Sequence, residues 1–67
     1  MTAFTDHVLA LAHEEDASPE RRAILEAITE GEPLSAEAEQ SLRRLLDEGT
    51  APHIVLEAAW AERRRAA

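Results

Sequence analysis

The chain contains no cysteine, lysine, asparagine or tyrosine, and its only aromatic side chains are Phe4 and Trp60. Glycine and proline are scarce as well, at two and three residues. Each shortage closes off a class of chemistry. Without cysteine there is no disulfide, no thiol nucleophile and none of the usual cysteine-based zinc sites. With Gly31 and Gly49 as the only glycines, no glycine-rich phosphate loop exists. Aromatic and β-branched residues are sparse, and no stretch alternates apolar with polar for long, so no strand is credible. No apolar run approaches the roughly 20 residues needed to cross a bilayer. The opening segment, 1–11, lacks both a basic n-region and a long apolar run, so it does not read as a signal peptide. The resulting expectation is a cytoplasmic protein with no membrane contact. The missing lysine, asparagine and tyrosine use AT-rich codons, whereas the abundant alanine and arginine use GC-rich ones. That bias suggests a bacterial or phage source.

What is present is small and acidic. Sixty-seven residues are read as a single helical domain, 1–67. A chain of this size buries only about 60% of the surface its unfolded form exposes. One core of this size rarely supplies more than roughly 3–5 kcal/mol, and with disulfides excluded, oligomerisation is the expected source of extra stability. The net charge of −7 argues against broad attraction to nucleic acid or anionic lipid, which require a cationic surface. It suits a basic protein partner, and it equally well keeps a small helical protein soluble. The charge is unevenly spread. Residues 1–50 hold twelve acids against four arginines, a formal −8, while 51–67 sum to +1.

The periodicity is helical throughout. Phe4, Val8, Leu11 and Ala12 form the stripe of a first helix, capped by Thr2 or Thr5 and fading into Glu14-Glu15-Asp16. Ser18-Pro19 reads as an N-cap followed by proline at the first helical position. The second helix then offers Ile24, Leu25 and Ile28 before Gly31 and Pro33 stop it. Ser35 opens a third helix with Ala38, Leu42, Leu45 and Leu46 on one stripe, and Gly49 is its natural end. Thr50-Ala51-Pro52 repeats the cap-and-proline pattern, so a fourth helix is expected from about 52 to about 64. Short connections favour packing between consecutive helices. The fold class is therefore all-α, a bundle of three to four short helices.

Most of the charged residues have a plain structural explanation. Arg22 precedes Glu26 by four, Arg43 precedes Asp47 and Arg44 precedes Glu48, and such pairs contribute roughly 0.2–0.5 kcal/mol each. Arg63 and Arg64 differ, having no acid three or four residues away. A structural role remains open to them, because cations at a helix C-terminus complement the macrodipole. The functional alternative is contact with phosphate or with an acidic surface of another chain. His7 and His13 are six apart and face different ways on a helix, and no His-Glu-x-x-His occurs. The acidic cluster at 14–16 lacks the spaced ligands and glycine of a calcium loop. No catalytic, cofactor-binding or metal-binding residue is assigned, and an enzyme is not expected.

Within 41–60, Leu45, Gly49 and Val55 stand at relative positions 5, 9 and 15 of a helix-turn-helix, which this segment resembles. The resemblance implies a DNA-binding regulator using 41–65, with His53 and Glu57 on the exposed side of the recognition helix. The run from Leu34 through Gly49 into Leu56 is also similar to the helical half of ribbon-helix-helix antitoxins. Both patterns meet a departure. The start of the would-be recognition helix, Pro52-His53-Ile54-Val55-Leu56, is poor in donors for base edges or phosphates, and residues 1–33 read as two helices instead of a groove-entering strand.

The segment with the densest apolar content, 51–67, carries the sharper expectation. Val55, Ala58, Ala59 and Ile54 are expected to pack inward, leaving Leu56 and Trp60, four apart, as a second ridge beside Arg63 and Arg64. Those four residues, Leu56, Trp60, Arg63 and Arg64, are the candidate interaction site. Tryptophan favours such a role because its large surface is stiff and amphipathic. The expected function is non-enzymatic: a small regulatory or adaptor protein, antitoxin-like, inhibitory or docking, that contacts another protein or a second copy of itself.

Overall fold

Local signals in the sequence set the helix boundaries. In the computed structural model, which describes residues 3–66, the helices are α1 (Ala3–Ala12), α2 (Pro19–Thr29), α3 (Ala36–Asp47) and α4 (Pro52–Ala66). Ser18 caps α2, its hydroxyl accepting from the Arg21 N–H at 3.1 Å, and Pro19 occupies the first turn where its missing N–H costs nothing. Ser35 caps α3 in the same way, accepting from the Ala38 N–H at 3.1 Å. The start of α4 has no side-chain cap. There the Ala51 carbonyl accepts from the N–H groups of Ile54 and Val55. Of the two cap candidates for α1, Thr2 lies outside the described residues and Thr5 lies within the helix.

The C-terminus of α3 closes as a Schellman motif. The Gly49 N–H donates to Leu46 at 3.1 Å and the Thr50 N–H donates to Leu45 at 3.0 Å. That pair of bonds needs a left-handed residue at the turn, and Gly49 supplies it with φ +86°. The motif uses 49 and 50 to end α3, and Pro52 restarts the chain almost at once.

The four helices form a closed ring in which α1 packs on α2, α2 on α4, α4 on α3, and α3 returns to α1. Consecutive helices therefore pack at α1–α2 and α3–α4. The expectation fails at α2–α3, which sit across the diagonal of the ring. The reason lies in their connection: Glu30 is extended, Gly31 has φ +98°, and Pro33 cannot continue a helix. The core draws Phe4, Val8 and Ala12 from α1, Leu25 and Ile28 from α2, Leu42 from α3, and Val55, Leu56 and Ala59 from α4. Among the described residues no polar or charged residue is buried. A radius of gyration of 11.0 Å equals the roughly 11 Å expected of a compact chain of this length.

His7 links α1 to α3, its Nε2 lying 3.5 Å from the Asp47 carboxylate. The nitrogen is buried and has no hydrogen-bond partner, so the contact is an ion pair only when the imidazole is protonated. His13 and His53 are exposed.

Gly49 offers a clean test of the turn. A Cβ built there meets nothing within 4 Å, so Gly49→Ala introduces backbone strain without a clash. Urea unfolding should show a loss of about 1–2 kcal/mol for Gly49→Ala and a smaller loss for Gly49→Asn. An unchanged midpoint for the alanine variant contradicts this description of the turn.

Candidate interaction surface

Two arginines do work that local spacing did not reveal. Neither α1 nor α2 carries a basic residue in its last turn, so the carbonyls exposed at those helix ends lack a local cation. Each helix receives one from elsewhere. The Arg22 Nε–H donates to the Ala12 carbonyl at 3.1 Å, across 10 residues. The Arg63 guanidinium donates through Nη2 to Ile28 and through Nε to Glu32, both at 2.8 Å. Arg63 thus closes the end of α2 and the turn beyond it from a position on α4. Two further carbonyls of that last turn are used locally: the Thr29 hydroxyl donates to Glu26 at 2.7 Å and the Glu30 N–H to Ala27 at 3.2 Å.

The clasp divides the four candidate residues. Arg63 is half-buried and committed to the fold. Leu56 is 9% exposed and belongs to the core, so the ridge expected between Leu56 and Trp60 does not form. Ile54, expected to point inward, is instead 47% exposed, and Trp60 is 49% exposed. Arg64 is exposed, and its side chain has no hydrogen-bond or ion-pair partner among the described residues. Arg65 pairs with Glu62 one turn back.

Geometry explains this sorting. At 100° per residue, Val55, Ala59, Leu56 and Arg63 occupy one arc of about 100°. Ile54 falls about 100° to one side of that arc and Trp60 about 40° to the other. A face of Ile54, Val55, Ala58 and Ala59 is equally periodic; the observed rotation is the one that places Val55, Leu56 and Ala59 in the core and Arg63 against the end of α2. The outward face then carries His53, Ile54, Glu57, Trp60, Ala61 and Arg64, all exposed. Glu57 and Ala61 belong to this face although neither carries a chemical signal that would single it out.

Other features of the surface are modest. Clefts of about 200 and 210 Å³ flank Arg63, next to Leu34 and Pro33, smaller than the roughly 300 Å³ at which ligand pockets begin. Among the described residues no group of three or more histidine and acidic side chains is placed to hold a metal ion. No helix among them is long and apolar enough to cross a membrane. The acids at 14–16 are exposed in the α1–α2 connection. The chain matches no protein-family model, and no similarity to a curated protein or to a solved structure was found.

The division between core and surface on α4 is directly measurable. Leu56→Ala should destabilise the fold by about 2–5 kcal/mol, enough to unfold most of a domain this small. Trp60→Ala should cost much less at low protein concentration, where only intramolecular contacts count. Equal losses in thermal or urea unfolding overturn this assignment of the two residues.

Proposed function

We propose that the protein is a non-enzymatic interaction module that contacts another protein chain through the outward face of α4. One observation carries the reading: among the described residues, the large apolar side chains left in the open, Ile54 and Trp60, lie on the same helix. Exposed Ile54 and Trp60 are not needed to complete the core, which Val55, Leu56 and Ala59 already supply from α4. A stiff, half-exposed tryptophan beside an unpaired arginine is the composition that protein interfaces favour at their energetic centres. Antitoxin-like, inhibitory and docking roles share this chemistry. A cytoplasmic setting belongs to the same proposal and is compatible with a chain that has no cysteine.

The DNA-binding alternative finds less support. The exposed residues on the first turns of α4 are His53, Ile54 and Glu57, and a carboxylate and an isoleucine facing a groove repel phosphate or leave it without a donor. Arg63, the first arginine of the terminal triplet, is occupied with carbonyls of its own chain.

The experiment is a comparison of retained proteins when the folded wild-type chain and the folded Trp60→Ala variant are used as bait in an extract of the source cells. Proteins held by the wild type should be lost from the variant, and binding should respond weakly to salt. Identical retention by both contradicts the reading. Retention that instead collapses between 50 and 200 mM salt, by about 10³-fold or more, points to nucleic acid.

A further inference from the structure

The proposed face of α4 has an internal symmetry. Glu57, Trp60, Ala61 and Arg64 are spaced i, i+3, i+4, i+7 and are all exposed, forming a stripe about 100° wide along the helix. Their order reads acid, large apolar, small apolar, base. Reversing the direction of the helix exchanges Glu57 with Arg64 and Trp60 with Ala61 about a midpoint between residues 60 and 61. Neither the Glu57 carboxylate nor the Arg64 guanidinium has a side-chain partner among the described residues.

From this juxtaposition we infer that the α4 face binds a second copy of the same chain, with the two α4 helices antiparallel and centred between Trp60 and Ala61. The inference rests on the interaction reading above and names its partner. A two-fold axis through the midpoint sets Glu57 of each copy level with Arg64 of the other, giving two equivalent ion pairs. It sets each Trp60 against the partner's Ala61, a large side chain against a small one, as close helix packing requires. A parallel arrangement in register does the reverse. It brings Glu57 against Glu57, Arg64 against Arg64 and Trp60 against Trp60.

Charge favours this pairing beyond the stripe itself. Residues 1–50 carry a formal −8 and 51–67 carry +1, so two copies repel each other over most of their surface. Contact through α4 joins the least acidic parts. A contact confined to one helix of 15 residues is small, which puts the dimer in the weak, transient class. Its dissociation constant is accordingly expected in the micromolar range or above, at about 10–500 µM.

The test is sedimentation equilibrium of the full chain from about 5 µM to about 1 mM, bracketing that range, with circular dichroism to establish that each variant is folded. Wild type should pass from monomer to dimer mass. Glu57→Arg and Arg64→Glu should each weaken association by about tenfold or more, because each turns two attractive pairs into repulsive ones. The two single variants mixed together should associate again, and the double exchange Glu57→Arg/Arg64→Glu should regain near wild-type association. Single reversals that leave the dimer intact overturn this register. A wild type that stays monomeric throughout overturns the dimer, whereas Trp60-dependent retention of a different protein would still uphold the broader interaction reading.

Discussion

The guanidinium of Arg63, held between the carbonyls of Ile28 and Glu32, is the constraint on which the arrangement of this protein depends. A helix leaves its last carbonyls without internal donors and concentrates partial negative charge there. α3 answers with Gly49 and its own Arg44. α2 has no such cation, and the turn after it contains Pro33, which has no N–H to offer. A single side chain from α4 supplies the missing cation and the donors for Ile28 and Glu32. Charged donors to such carbonyls contribute about 1.5–3 kcal/mol net where they are sheltered from water and less in the open; here the Ile28 bond is part-buried and the Glu32 bond exposed. Arg22, reaching back to Ala12, repeats the device one helix earlier.

Arg63 held against α2 and the burial of Val55, Leu56 and Ala59 agree on one rotation of α4. Leu56 and Ala59 turn into the core beside Val55, and the opposite side of the helix, from Trp60 round to Ile54, is turned out. The surface proposed for interaction is thus a consequence of the core and the clasp together. It is made of residues left over once the core and the α2 terminus have taken theirs. This also explains why the arginines of the terminal triplet do different things. Arg63 acts within the fold, Arg65 pairs with Glu62, and Arg64 is the one whose side chain is left to solvent.

Local signals mark all four helices at nearly their observed limits. Ser18, Ser35 and Gly49 act through bonds to residues within four or five positions, and Pro19 and Pro52 through their own fixed φ, so composition and spacing suffice to find them. The stripes of α1, α2 and α3 were legible for the same reason. The rotation of α4 was not. Its apolar residues surround more than half the helix, and alanines at 58, 59 and 61 blur the edge of any stripe. The deciding contacts join residues 31 and 35 positions apart, and nothing in local spacing marks Arg63 as their donor. The diagonal placement of α2 and α3 is likewise not legible in the sequence, because connection length constrains distance and leaves direction open. Of the four candidate interaction residues, Trp60 and Arg64 lie on the open face, while Leu56 and Arg63 serve the fold.

The most direct measurement is urea unfolding of Arg63→Met beside Arg64→Met, at a concentration where the chain is monomeric. Methionine keeps much of the aliphatic stem and removes the donors, so the comparison isolates the guanidinium. The clasp predicts a loss of about 1–3 kcal/mol for Arg63→Met and a change within about 0.5 kcal/mol for Arg64→Met. Equal effects from the two substitutions, or a neutral Arg63→Met, would contradict it.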